Sequence, residues 1–262
     1  MKTTLKQSQI IENSQKICYP KEKLKAPDAD ICILKSHEKR KYTNTKNTYT
    51  GDILKRQEAI IMMTILYPAY GNLYVNLTNK CPCACTFCLR QTHEEIEQSG
   101  SLWLDREPTV EEVEKEFDIF PPDTYKDIVF CGFGEPTERL DDLLEVAEFA
   151  KKKFGKKIRI NTNGLGSLIH GKDITPLLQG KIDTVSISLN TPNAEEYYKL
   201  TRNKFGIESF QAMLDFAKEA TKYVPEVVMT TVETTITKEE EQECQKICDS
   251  LGVRYRIRPF ED

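Results

Sequence analysis

What this sequence lacks narrows its class first. No apolar stretch approaches the ~20 residues of a membrane-spanning helix; the longest near the N-terminus, residues 59–66, is far too short. The opening Met1-Lys2-Thr3-Thr4-Leu5-Lys6-Gln7 lacks the apolar core of a secretory signal. The expectation is a cytoplasmic protein with no membrane association. In that reducing compartment its nine cysteines suit metal ligation and free core thiols rather than a disulfide framework. Histidine is scarce, three in the whole chain, and only His93 lies near the densest run of cysteines. A structural zinc site usually draws its cysteine pairs from separated segments, and no second pair lies at a fitting distance here.

Positive charge is missing from most of the chain. Residues 1–62 hold 13 Lys and Arg against 7 Asp and Glu, whereas the remainder holds 24 against 34. An acidic body argues against tight electrostatic binding of nucleic acid by that body. The first 62 residues are rich in Lys, Thr, Asn, Ser and Gln and show no sustained helical or strand period. They are expected to form a disordered basic leader that need not belong to the functional protein, with the folded core domain spanning 63–262. Cys18, Cys32 and Lys35-Ser36-His37 fall in that leader and receive no role.

What is present centres on Cys81-Pro82-Cys83-Ala84-Cys85-Thr86-Phe87-Cys88, four thiols within eight residues. Four cysteines in one loop point to a metal site rather than to packing. Cys81, Cys85 and Cys88 fit the spacing Cys-x3-Cys-x2-Cys, and Cys83 is the extra one. A cubane of four irons normally receives one cysteine per iron. Three cysteines on a short loop leave the fourth iron open to a chelating ligand.

The rest alternates. Strands are expected over residues 72–78, 127–131, 157–161, 184–189, 226–232 and 253–257. Helices are expected over 109–117, 138–154, 176–178, 193–200, 209–223 and 237–251, with Thr109/Glu112 and Thr237/Glu240 as capping boxes. Six strand–helix alternations are the pattern of a parallel sheet with crossover helices, which right-handed connections can curl into a barrel. Sites in such sheets form at the carboxyl ends of the strands. The cysteine loop, Gly134-Glu135, residues 161–164 and residues 188–190 all fall there. Cys244 and Cys248, four apart on the last helix, read as small apolar packing residues or as ligands of a second metal.

The cysteine spacing, with an aromatic residue just before the last thiol, resembles the signature of the radical S-adenosylmethionine (SAM) enzymes. The resemblance implies an α/β fold, a partial (βα)6 TIM-like barrel open on one side. It implies a 4Fe-4S cluster on Cys81, Cys85 and Cys88, and SAM chelated to the open iron. One-electron cleavage of the sulfonium would give a 5′-deoxyadenosyl radical that takes a hydrogen atom from an unidentified substrate. Phe87 would pack near the adenine or the cluster. Gly132-Phe133-Gly134-Glu135-Pro136 resembles, with a variation, the family's glycine-rich turn, so Gly134, Glu135 and Pro136 would orient the methionyl amine. Asn163 belongs to a Thr-Asn-Gly element whose amides would bond the methionyl carboxylate or neighbouring loops. Ser188 and Asn190 would face the interior toward the ribose, together with Ser186. Arg202 would pair with a carboxylate, of the cofactor or of the surface. Ile257 lies where family members rest the adenine, and Arg256 and Arg258 flank it on the opposite side of the strand, placing one of them toward substrate. An external flavodoxin- or ferredoxin-type donor would supply the electron.

A narrower resemblance is carried by residues 74–88, by the Gly-Phe-Gly-Glu-Pro-Thr turn and by Thr201-Arg202-Asn203-Lys204-Phe205-Gly206. Together these are similar to the TatD-associated radical SAM proteins, which implies a functional link to a TatD-type hydrolase. The alternative from a different class is a non-catalytic metal-cluster or zinc-binding module in which all four thiols saturate the metal.

Overall fold

In the computed structural model, residues 63–259 are described, apart from 92, 94 and 98; the proposed leader, with Cys18, Cys32 and Lys35-Ser36-His37, lies outside the described residues. Seven strands form one sheet in chain order: β1 (Leu66–Ala69), β2 (Asn72–Val75), β3 (Ile128–Phe130), β4 (Ile158–Thr162), β5 (Thr184–Ser188), β6 (Glu226–Val232) and β7 (Arg254–Arg258). The pairs from β2 to β7 are all parallel. Crossovers carry α1 (Val110–Glu116), α2 (Leu140–Phe154), α3 (Gly166–His170), α4 (Ala194–Thr201), α5 (Ser209–Ala220) and α6 (Lys238–Leu251). The parallel sheet expected from the alternation is present, and the α/β partial barrel is the one the resemblance implies, with six parallel strands and the edges β1 and β7 unpaired among the described residues.

One strand was not expected. β1 pairs antiparallel with β2, Ala69 opposite Asn72. The two linking residues, Tyr70 and Gly71, both have positive φ, 49° and 73°, as a two-residue primed hairpin turn requires. Tyr-Gly is a weak hairpin signal, and Pro68 inside a four-residue run reads against a strand. β2 also stops at Val75, so the cysteine loop starts from an extended segment rather than from the ladder. The short helix α3 was likewise unforeseen, and residues 176–178 lie in a 3-10 turn, Thr175–Leu178.

Local chemistry sets the helix ends. Both capping boxes form: Thr109 with Glu112 opens α1, and Thr237 with Glu240 opens α6. Alternation along the strands divides the core into two parts. Leu73, Val75, Ile128, Phe130, Ile158, Ile160, Val185, Ile187 and Met229 pack outward under the helices. Tyr67, Tyr74, Val129 and Phe133 form a smaller apolar group on the other, concave face near β1–β3. Cys244 and Cys248 are fully buried in the outer core, so they pack as small apolar side chains. Among the described residues, no helix is long and apolar enough to cross a membrane.

Candidate functional site

The cysteine loop sits at the carboxyl end of β2 and is held from two sides. Ala84 N–H donates to the Thr201 carbonyl and Thr86 N–H to the Leu200 carbonyl, both at 2.9 Å, while Lys204 N–H donates to the Pro82 carbonyl at 3.0 Å. The last turn of α4 thus braces the loop, and Arg202, left-handed with φ 45°, turns the chain there. Inside the loop, the Arg90 guanidinium donates to the Cys83 carbonyl at 2.9 Å and Gln91 Nε2 to the Cys85 carbonyl at 2.5 Å.

The second brace is the Gly132–Pro136 turn. Glu135 N–H donates to the Lys80 carbonyl at 2.8 Å. A Cβ on Gly134 would lie 2.2 Å from the Thr78 carbonyl oxygen, and one on Gly132 would lie 2.0 Å from Asn76 Oδ1. Gly134 is therefore demanded by close backbone approach, whereas Gly132 leaves room for the buried Asn76 side chain. Pro136 begins a 3-10 turn, Pro136–Arg139, where its missing N–H costs nothing.

Burial distinguishes the four thiols. Cys83 is 4% exposed and belongs to the outer core, whereas Cys81, Cys85 and Cys88 are half-buried, and none is in a disulfide. Hydrogen bonding among the three clustered thiols holds Cys83 above the ordinary thiol range and Cys81 and Cys85 below it. Burial pushes the Cys88 thiol up. Asn163 Nδ2 points at the same sulfurs, 3.7 Å from Cys83 Sγ and 4.0 Å from Cys81 Sγ. Among the described residues no three His, Cys, Asp or Glu converge as ligands of one ion. A cubane does not ask for that, because its irons lie at separate corners and need ligands that stand apart. Three half-exposed, unlinked thiols on one braced loop suit it.

Glu135 is 3% exposed and its carboxylate is fully committed. Oε1 accepts from Thr137 N–H at 3.1 Å, from Thr137 Oγ1 at 2.7 Å and from Thr162 Oγ1 at 2.7 Å; Oε2 accepts from Asn163 N–H at 2.8 Å. Burial raises its pKa against the pull of these four donors. The side chain thus ties the end of β3 to the end of β4.

Ser188 sits opposite Thr230 at the end of β5, and Asn190 follows, buried and left-handed with φ 66°. Ser186 lies one row below, beside Asn161. Phe87 is exposed on the loop. Arg202 is exposed, and its guanidinium forms no ion pair among the described residues. Ile257 pairs with Thr231 in register, and the neighbour on its own face, Tyr255, bonds Thr231 and packs on the outer core. Ile257 therefore faces away from the concave side, and the expected adenine rest is not on its side chain. Alternation around Tyr255 and Ile257 turns Arg256 and Arg258 inward instead.

Tyr197 was missed. Its side chain is fully buried in α4, its hydroxyl has no partner among the described residues, and burial pushes its pKa up. It lies under the cysteine loop. Its spacing from Thr201, one helical turn, was the only trace of this in the sequence.

Residues 75–251 match the Radical SAM superfamily. A GTP 3′,8-cyclase of Corynebacterium glutamicum is 34% identical over 138 residues, 50% of this chain and 34% of that protein. An AdoMet-dependent heme synthase of Oleidesulfovibrio alaskensis is 26% identical over 188 residues, 71% of this chain and 44% of that protein. The chain thus spans less than half the length of either relative. Among solved structures, Streptococcus suis SuiB bound to its precursor peptide SuiA superimposes with a TM-score of 0.54 at 18% identity, over 72% of this chain and 39% of that one. Native anSMEcpe with bound AdoMet gives 0.52 at 19% identity, over 72% and 51%.

Proposed function

This chain belongs to the radical SAM superfamily, and from that premise we propose that it cleaves SAM reductively to begin radical chemistry on an unidentified substrate, with Cys81, Cys85 and Cys88 holding a 4Fe-4S cluster. One observation carries the reading: three free, half-buried thiols share a loop clamped between the Gly132–Pro136 turn and the end of α4. When bound, the cluster supplies the electron that splits the sulfonium. The chain's own residues do the positioning. The Gly134-Glu135 backbone, fixed by Lys80, orients the methionyl amine. Asn163 reaches the thiols and the methionyl carboxylate. Ser188 and Asn190 meet the ribose from the ends of β5, Phe87 covers the adenine or the cluster, and Arg202 pairs with a carboxylate of the ligand. Cys83 is buried in the outer core, outside the Cys-x3-Cys-x2-Cys spacing, and is left out of the ligand set.

An external flavodoxin- or ferredoxin-type protein delivers the electron. The narrower reading is a link to a TatD-type hydrolase. Its support is that the two segments carrying that resemblance meet: Lys204 N–H bonds Pro82, and Thr201 receives Ala84. Co-purification with such a hydrolase from native cells tests that link; its absence from every preparation argues against it. The main reading is tested by anaerobic reconstitution with iron and sulfide, reduction with dithionite and assay of 5′-deoxyadenosine. Release of that nucleoside supports it, and a reduced cluster that leaves SAM intact overturns it.

A further inference from the structure

The two segments that meet at the cysteine loop carry a charge that the rest of the core does not. Residues 78–91 hold Lys80 and Arg90, residues 197–207 hold Lys199, Arg202 and Lys204, and neither segment holds an Asp or Glu. The remainder of 63–262 holds 19 Lys and Arg against 34 Asp and Glu. Three backbone bonds lay the segments edge to edge. Thr86 N–H donates to the Leu200 carbonyl and Ala84 N–H to the Thr201 carbonyl at 2.9 Å, and Lys204 N–H donates to the Pro82 carbonyl at 3.0 Å. Bonded backbones bring Cα atoms to about 5–6 Å, and each further residue adds at most ~3.8 Å. Lys199, Arg202 and Lys204 therefore all start within about 10 Å of a loop residue. Ala84, Thr86, Lys199, Arg202 and Lys204 are exposed, with Tyr198 43% exposed beside them.

Acids from outside the two segments reach two of these cations. Glu107 meets Lys80 at 3.1 Å and Glu196 meets Lys199 at 2.6 Å, in surface pairs of the kind that contribute little. The Arg90 guanidinium is turned to the Cys83 carbonyl. Among the described residues neither Arg202 nor Lys204 meets a carboxylate, and Lys204 Nζ lies 5.1 Å from the centre of the Phe205 ring. A basic rim on an acidic body, with an exposed tyrosine in it, complements an acidic protein surface. Nucleic acid fits less well, because a phosphate backbone running past so short a rim meets the acidic body.

We propose that the rim formed by the cysteine loop and the end of α4 docks an acidic protein, the one-electron carrier that reduces the cluster. Naming the carrier rests on the proposed function; the docking surface rests on charge and place. Exposed Ala84 and Thr86 flank Cys85, so a carrier seated there stands against the loop that holds the thiols. The carrier is oxidised by one electron and the cluster reduced by one, and no bond forms or breaks. Redox contacts of this kind are small, under about 1,200 Å², and are steered by charge more than held by burial. Arg202, assigned above to a carboxylate of the ligand, adds its charge to the same field.

The test is calorimetric titration of the full, anaerobically reconstituted chain with an acidic flavodoxin, at low and at physiological salt. Saturable binding that weakens on the order of tenfold over that range is expected. Lys199→Glu combined with Lys204→Glu should weaken it about tenfold more and slow flavodoxin-driven release of 5′-deoxyadenosine, with dithionite-driven release unchanged. Lys152→Glu combined with Lys218→Glu makes the same change of charge on the last turns of α2 and α5, at the amino ends of the strands, and should leave binding within about twofold. No saturable binding, binding that the rim variant leaves unchanged, equal weakening by both double variants, or a matching loss with dithionite overturns the proposal. Displacement of flavodoxin by single-stranded DNA at similar concentration also overturns it and assigns the rim to nucleic acid. If the rim variant fails to fold, Lys204→Gln takes its place. Flavodoxin bound at the rim with no 5′-deoxyadenosine from either reductant would sink the proposed function and leave the docking surface standing.

Discussion

A Cβ on Gly134 would stand 2.2 Å from the Thr78 carbonyl oxygen, with the Lys80 carbonyl only 2.7 Å away. The glycine turn and the root of the cysteine loop therefore occupy one packed unit, and neither can move without the other. Gly134→Ala is expected to cost on the order of 3 kcal/mol, since rigid backbone must give way. Urea unfolding measures this, and iron content after reconstitution should fall with it. Gly132→Ala meets the Asn76 side chain instead and should cost less unless the Asn76 bonds to Thr64 and Leu102 break. Equal stability of Gly134→Ala and wild type would refute the packing account.

The thiols should divide three to one. Ala substitution of Cys81, Cys85 or Cys88 is expected to reduce 5′-deoxyadenosine release to background. Cys83→Ser keeps a side chain of similar size in the buried position and should retain activity, at a stability cost of about 1–2 kcal/mol for a buried hydroxyl. Complete loss of activity in a folded Cys83→Ser protein would place Cys83 among the ligands.

Glu135→Gln replaces one accepting oxygen by an amide that itself donates. Whichever way the amide lies, at least one of the bonds from Thr137, Thr162 and Asn163 meets a donor. A loss of about 2 kcal/mol and weaker SAM binding are expected, because the tie between β3 and β4 loosens. Thermal unfolding and SAM titration check both; unchanged SAM affinity would show that the tie does not reach the site.

Burial pushes the Cys244 and Cys248 thiols up to about 12. Alkylation needs the thiolate, so both should label on the order of a thousandfold more slowly than unfolded thiols at mildly alkaline pH. The folded state keeps protons that the unfolded chain releases. These thiols therefore support stability below the ordinary thiol value, and that support is lost as pH climbs from there toward 12. Mass spectrometry after timed iodoacetamide exposure, with and without denaturant, reads the first effect. Rapid labelling of Cys244 in the folded chain would refute it.

Much of this was legible locally. The spacing of Cys81, Cys85 and Cys88 is a property of eight residues, the capping boxes Thr109/Glu112 and Thr237/Glu240 of four, and the alternation of β and α of windows of a dozen. Such features depend on neighbours along the chain, so they survive without knowledge of the fold. The β1–β2 hairpin escaped because its turn, Tyr70-Gly71, relies on a left-handed tyrosine that sequence preference disfavours. Ile257 was given the wrong face because its neighbours are polar on one side and its exposure on the other is settled by where Tyr255 packs.

By itself the sequence determined the class of the fold, the position of the cysteine loop at a strand end and the identity of the thiols. Only the tertiary structure decided which thiol is buried, that the Glu135 carboxylate is already taken by four donors, and that the end of α4 braces the cysteine loop from more than a hundred residues away. The physical reason is that burial and charge depend on what the curled sheet brings across empty sequence distance. Strand pairing and curvature set those approaches, and no local spacing encodes them.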